Sequence, residues 1–433
     1  MNPITTGIVG ICILLVLMFA GMPIGFTMLL VGSTGFFYLV KLSGAIHILA
    51  SVPYALISNY DYAVLPLFLL MGTIILNAGF GRTLFRFANT MLGRLPGGLA
   101  IATIFACGVF SAISSSSIAC TLTIGLIAIP EMKRYKYDSA LSAGSVAAGG
   151  TLDILIPPSG LFIIYGIMTE QSIAKLFIAG MIPGIILALM FIVVVYFRVR
   201  LNPTLAPSGQ STTFREKMAA LGECVEILLL CILILGGLII GWFTPTEAGA
   251  IGAFGAIVFA LIRKRLSWQG FKDSVIDTIR STGMIFMIVM GALVFNAFFA
   301  VTTIPMELAE WVSGLALPPV AIMVIILLMY IILGTFLDEL AMILLTLPIF
   351  FPVVTRLGFD PIWFGVVVVL VVEMGMISPP VGMTMFVVKG IAPDISMQTI
   401  YKGVLPFVIA VAVLMVLLVA FPKMALFLPR LMG

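Results

Sequence analysis

A chain of 433 residues that is 62% hydrophobic and only 9% charged, with a mean hydropathy of +1.27, has the composition of a polytopic membrane protein and no room for a large soluble domain. The formal net charge of +4 comes without any basic cluster interleaved with aromatics, which excludes a nucleic-acid surface. Five cysteines lie in or beside apolar spans and form no metal-ligand spacing with the lone His47, so they read as packing residues.

The first span is read from about Ile4 to Ala20; it lacks the basic segment that opens a cleaved leader. Gly21-Met22-Pro23 interrupts the chain, and a second span runs from about Ile24 to Val40. Residues 42 to 60 are half apolar and contain His47, Pro53 and Asn59, which predicts short amphipathic pieces along the membrane interface. A third span, about Tyr62 to Leu76, is followed by Arg82, Arg86 and Arg94 and then Pro96-Gly97-Gly98.

Two short apolar runs, Leu99 to Phe110 and Ile118 to Ile129, flank the consecutive serines Ser114 to Ser117. Each run is roughly half a membrane thickness at ~1.5 Å per residue. The pattern predicts a re-entrant hairpin over about 97–130; the alternative is one long helix crossing once. A basic loop with Lys133, Arg134 and Lys136 leads into a long apolar stretch over about 140–167. Gly149, Gly150, Pro157, Pro158 and Gly160 fall inside it, so the helix must break there. Backbone unpaired in hydrocarbon is costly, so such a break is buried in protein or used, its carbonyls for a cation and its amide end for an anion. Another span covers about Ile173 to Phe197.

The same punctuation returns 222 residues later: Pro23 with Pro245, Pro96 with Pro318, Pro130 with Pro352, Asp138 with Asp360, Pro157 and Pro158 with Pro379 and Pro380, and Gly160 with Gly382. One ungapped register for all of these predicts two copies of one fold unit, 1–200 and 223–433, joined by a linker over 201–222. The second copy has spans near Ile227 to Ile240, Ala248 to Ile262 and Met284 to Phe299, and a hairpin over about 318–352 with its turn at Gly334 to Glu339. A broken helix over about 363–389 and a last span near Val404 to Val419 complete it. The basic loop at Arg82 to Arg94 corresponds in the second copy to Val301 to Leu317, which holds Glu307 and Glu310 and no Lys or Arg. By the positive-inside rule the copies are therefore inverted, each with five crossings and a hairpin, with the linker cytoplasmic and the N-terminus outside.

No nucleotide-binding loop, dinucleotide fingerprint or HExxH occurs, so the chain is not read as an enzyme, and inverted repeats with broken helices argue for secondary transport. Asp338, in an apolar neighbourhood, corresponds to Ser116 in the repeat register; it lines a transport site or caps a hairpin arm. Glu339 is expected to face water. Asp153 and Glu373, each just before a break, either cap locally or face a ligand. Ser159, Thr384, Thr121, Thr123 and Thr346 either serve the site or bond back to their own helices.

The stretches Gly21 to Phe26, Pro66 to Gly72, Phe110 to Ser114, Thr151 to Gly160, Pro245 to Gly249 and Ser378 to Gly382 resemble the large membrane subunit of tripartite ATP-independent periplasmic (TRAP) transporters, the DctM-like family. That family often has glycine in the first hairpin tip, where this chain has Ser115. The resemblance implies an all-α elevator-type transporter of the bacterial inner membrane that imports an organic acid, sialic acid or a C4-dicarboxylate, on a sodium gradient and without another cofactor. It implies two partners, a periplasmic substrate-binding protein and a small four-helix membrane subunit. Because the chain begins directly at the large-subunit pattern, the small subunit is expected to be separate. Two sodium positions are expected, one per repeat: Ser114, Ser115 and Ser117 with Gly150 and Thr151, and Gly334 and Thr335 with Gly375 and Met376. Ser116, Ser159 and Asp338 are expected around the substrate between the hairpin tips. A channel and a non-transporting structural subunit are the other classes the sequence leaves open.

Overall fold

The computed structural model describes residues 2–207, 212–314, 317–379 and 381–431. The chain is all helical. In the first half the helices are α1 (Pro3–Phe19), α2 (Ile24–Leu39), α3 (Leu42–Ser58), α4 (Val64–Asn77), α5 (Phe80–Leu92), α6 (Gly98–Ser114), α7 (Ser117–Arg134), α8 (Ser139–Gly149), α9 (Gly160–Thr169) and α10 (Ile173–Leu201). The second half has α11 (Phe214–Ile240), α12 (Pro245–Ile262), α13 (Trp268–Val301), α14 (Ile304–Ser313), α15 (Pro319–Gly334), α16 (Glu339–Arg356), α17 (Pro361–Ile377), α18 (Met383–Ile391), α19 (Met397–Ala420) and α20 (Lys423–Leu431). Among the described residues, seven helices are long and apolar enough to cross a membrane. The protein is a polytopic membrane protein.

Helix starts follow local chemistry, and the repeat register carries it from one half to the other. Asp138 and Asp360 cap α8 and α17, accepting from Leu141 N and from Ile362 and Trp363 N. Ser116 and Asp338 cap α7 and α16 in the same way. Shifting the bounds of α7 by 222 gives 339–356, the bounds of α16.

Packing joins the two halves through equivalent helices. The counterpart of α2 is α12, and α4 corresponds to the second half of α13. In the fold α2 lies on α13 and α12 lies on α4, so each half supplies one helix to a pair completed by the other. Gly25 and Gly32 let α2 approach the backbone of α13: a Cβ at Gly25 would stand 2.7 Å from Met287 O. The hairpins and breaks exchange in the same manner, α7 against α18 and α16 against α9.

Several elements depart from expectation. Residues 42–58 form one helix, not separate pieces, because Pro53 is accommodated within it. The second copy fuses the counterparts of α3 and α4 into the 34-residue α13. The latter part of the expected linker is the start of α11, opened by a capping box between Thr213 and Glu216. Unforeseen α5 is amphipathic, burying Phe80, Leu84, Phe85 and Ala88, with the Arg86 side chain exposed and paired to Glu223 of α11. The hairpin arms α6 and α7 have 17 and 18 residues, longer than the expected half-thickness, because the turn is only Ser115 and Ser116 and α7 continues through Pro130.

Candidate functional site

The first hairpin closes on itself between Cys107, Ser111 and Cys120, with Cys120 Sγ 3.8 Å from Cys107 O and 3.9 Å from Ser111 Oγ. At its tip Ser115 takes the left-handed conformation (φ 48°), which glycine adopts without strain. Ser115 Oγ donates to Pro158 O at 2.7 Å, and Ser117 Oγ donates to Asp153 Oδ1 at 2.6 Å. Both bonds fasten the tip to the interruption between α8 and α9, where a short 3-10 turn, Leu152–Ile154, replaces the α-helix. Gly150 packs so closely on α7 that a Cβ there would stand 1.8 Å from Thr121 Oγ1. Tip and break, joined by bonds that span 43 and 36 residues, are thus one assembly.

The second half repeats the arrangement with different contacts. Gly334 at the end of α15 and Gly375 near the end of α17 meet backbone to backbone; a Cβ at Gly375 would stand 2.6 Å from Gly334 O. Thr384 Oγ1 donates to Met376 O at 3.1 Å, tying α18 back across the interruption. Gly382 opens α18 at φ 52°. This break comes six residues later in the repeat register than the first, because α17 continues to Ile377 where α8 stops at Gly149. Pro380 lies outside the described residues.

Among the described residues, nine buried side-chain oxygens have no hydrogen-bond partner, and six of them are here: Ser114 Oγ, Thr121 Oγ1, Ser159 Oγ, Glu339 Oε2, Glu373 Oε2 and Ser378 Oγ. Such orphans are costly unless something else satisfies them. Hydroxyl, carboxylate and break carbonyl oxygens together make a set suited to a hard cation, and no Lys or Arg belongs to either tip or break. The starts of α9 and α18 offer the opposite polarity. Neither N-cap, Ser159 or Gly382, makes a side-chain cap bond, so the positive end of each helix is left to face an anion.

The expected site residues fall into these groups. Ser114, Ser115, Ser117, Gly150 and Thr151 are brought together at the first tip and break; Gly334, Gly375 and Met376 meet at the second. Thr335 bonds back to Ile332 O. Ser116 and Asp338 each cap the following helix, accepting from Ala119 N at 3.3 Å and Leu340 N at 3.2 Å. Ser159 is buried beside Pro158 with its hydroxyl unpartnered. Thr123 and Thr346 bond back to Ala119 O and Met342 O. Glu339 does not face water with both oxygens, since Oε2 is shut off. The sequence marks Ser378 only as the start of the Ser378 to Gly382 stretch at the second break and gives it no site role.

A family model described as "Tripartite ATP-independent periplasmic transporter, DctM component" matches residues 11–424. The chain belongs to this family. It is 36% identical to the C4-dicarboxylate TRAP transporter large permease protein DctM of Pseudomonas aeruginosa, covering 87% of each chain. It is 33% identical to the sialic acid TRAP transporter large permease protein SiaM of Vibrio cholerae, covering 96% of each. Among solved structures, the Alcanivorax borkumensis YdaH transporter superposes with a TM-score of 0.59 at 15% identity, over 89% of this chain and 90% of that one, a likeness of fold alone. As a TRAP-family permease the chain is a membrane transport protein.

Proposed function

We propose that this TRAP permease imports an organic acid across the bacterial inner membrane on a sodium gradient, receiving it from a periplasmic binding protein and working with a separate small membrane subunit. The observation that carries the reading is the pair of hairpin tips docked on helix breaks, with buried unpartnered oxygens at both. One sodium ion at each break takes oxygens from the tip and the broken helix: Ser114, Ser115, Ser117, Gly150 and Thr151 in the first repeat, Gly334, Thr335, Gly375 and Met376 in the second. The acid's carboxylate then faces the N-terminal ends of α9 and α18 and the nearby cations, with no basic side chain required. Ser116, Ser159 and Asp338 surround the remaining polar groups of the substrate. Both named relatives carry acids, which supports a carboxylate; sialic acid and a C4-dicarboxylate are the two candidates. The repeats run inverted in the membrane with the N-terminus periplasmic, and the hairpin-and-break assembly travels as a unit against the α2–α13 and α4–α12 pairs in an elevator motion.

The test is uptake of each labelled acid into proteoliposomes with the small subunit and binding protein present. Uptake should require an inward sodium gradient, and replacing sodium by potassium should abolish it; sodium-indifferent uptake removes the reading. Asp338→Asn preserves the capping oxygen, so stability should change little. Loss of the charge should lower uptake by about tenfold or more, the scale of a lost hydrogen bond to a charged group. Uptake at the unmodified rate would leave Asp338 a cap alone.

A further inference from the structure

A hydrogen bond joins the two breaks at equivalent positions of the two halves. Thr151 and Glu373 stand 222 residues apart, at equivalent places in the two repeats, and Thr151 Oγ1 lies 3.0 Å from Glu373 Oε1. Equivalent positions meet only where a pseudo-two-fold axis passes between them. Both side chains are completely buried, with 0% exposure. The Thr151 hydroxyl is also 2.8 Å from Ala148 O, in the last turn of α8, so its single hydrogen is shared between the two acceptors and one side chain links the end of α8 to α17.

The contacts continue on both sides. Gly150, next to Thr151, closes on Thr121 of the first hairpin, and Gly375, two residues after Glu373, closes on Gly334 of the second. From hairpin to hairpin the chain of contacts runs through Thr121, Gly150, Thr151, Glu373, Gly375 and Gly334. Its two glycine steps are too tight to admit a methyl group, and its central step is a single hydrogen bond.

We infer that the Thr151–Glu373 hydrogen bond couples the two breaks, so that a cation bound at one raises the affinity of the other. This rests on the sodium reading above. A cation held by the first break fixes the end of α8 and with it the Thr151 side chain. Thr151 in turn fixes the turn of α17 that presents the Gly375 and Met376 carbonyls. The second cation then meets a site whose ordering has already been done, which is positive cooperativity. The effect is reciprocal, since a coupling free energy belongs to both sites. Glu373 and the Thr151 hydroxyl act here as positioning groups, and the oxygen Thr151 offers the first cation is its carbonyl, which Thr151→Val and Thr151→Ser both keep.

The test compares Thr151→Val, which keeps the shape and removes the hydroxyl, with Thr151→Ser, which keeps it. Two readouts are taken: the sodium dependence of the unfolding midpoint of purified protein, and the sodium dependence of uptake in proteoliposomes. The unmodified protein and Thr151→Ser should titrate with a Hill coefficient above one. In the unfolding titration Thr151→Val should fall to about one, and in both titrations its half-saturating sodium concentration should rise several-fold. Glu373→Gln keeps the accepting oxygen and should remain cooperative. If Thr151→Val does not reach the membrane, Thr151→Ala serves in its place. A Thr151→Val protein with the unmodified Hill coefficient overturns the inference, as does one that loses only maximal rate. An unmodified protein whose midpoint and uptake ignore sodium overturns the sodium reading and this inference with it.

Discussion

Ser115 shows how one residue can be held in an unfavourable conformation by its partners. A non-glycine residue in the left-handed region costs roughly 1–2 kcal/mol. Its hydroxyl returns about 1 kcal/mol through the bond to Pro158 O. Ser115→Gly removes both terms, so the unfolding midpoint in detergent should correspond to a change within about 1 kcal/mol of the unmodified protein. Ser115→Ala retains the backbone cost and loses the bond; it should be destabilised by about 1 kcal/mol in the same measurement. A larger loss for the glycine variant than for the alanine variant would contradict this account. The residue was visible in the sequence as a departure from a family glycine, but its conformation was not.

At the scale of elements, the end of hairpin arm α7 is joined to the loop between α18 and α19 by Lys133 and Asp394, 2.5 Å apart and both exposed. The hydrogen bond from Lys133 holds the Asp394 carboxyl below its ordinary range. A carboxyl whose folded value is depressed contributes stability above its unfolded value, and the contribution disappears as pH falls through the lowered folded value. Asp394→Asn should therefore lower the unfolding midpoint slightly near pH 7, and the difference from the unmodified protein should vanish at acid pH below that folded value. A difference that persists there would mean the side chain acts through packing. The effect is small because water and salt screen an exposed pair.

For the whole molecule, the inverted topology proposed above would place the Arg82–Arg94 segment and the Glu307–Glu310 segment on opposite faces of the membrane. Among the native cysteines Cys12 is exposed and Cys107, Cys120, Cys224 and Cys231 are buried. Cys12→Ser therefore gives a quiet background for single cysteines placed at Arg86 and Glu310. A membrane-impermeant maleimide applied to intact cells should label the second position and not the first. Labelling of both from one side would refute the inversion. The interlocked pairs α2–α13 and α4–α12 make each half incomplete alone, so separately expressed halves should assemble only when produced together.

By itself the sequence determined the polytopic membrane class and, through proline, glycine and Asp recurring at 222 residues, where many of the helices start and stop. These rest on composition and on proline, glycine and capping residues, whose effects are local: a missing amide or an Asp at a helix start acts within a few residues. The capping box at Thr213 and Glu216 belonged to the same local code and would have placed the start of α11. Only the tertiary structure decided which side chain faces which. Ser117 on Asp153, Gly375 on Gly334 and the orphaned oxygens around them depend on distances between segments that no local rule sets. Thr151 and Glu373 lay in register all along, but register states equivalence and not contact; their meeting required the two halves to be folded against each other.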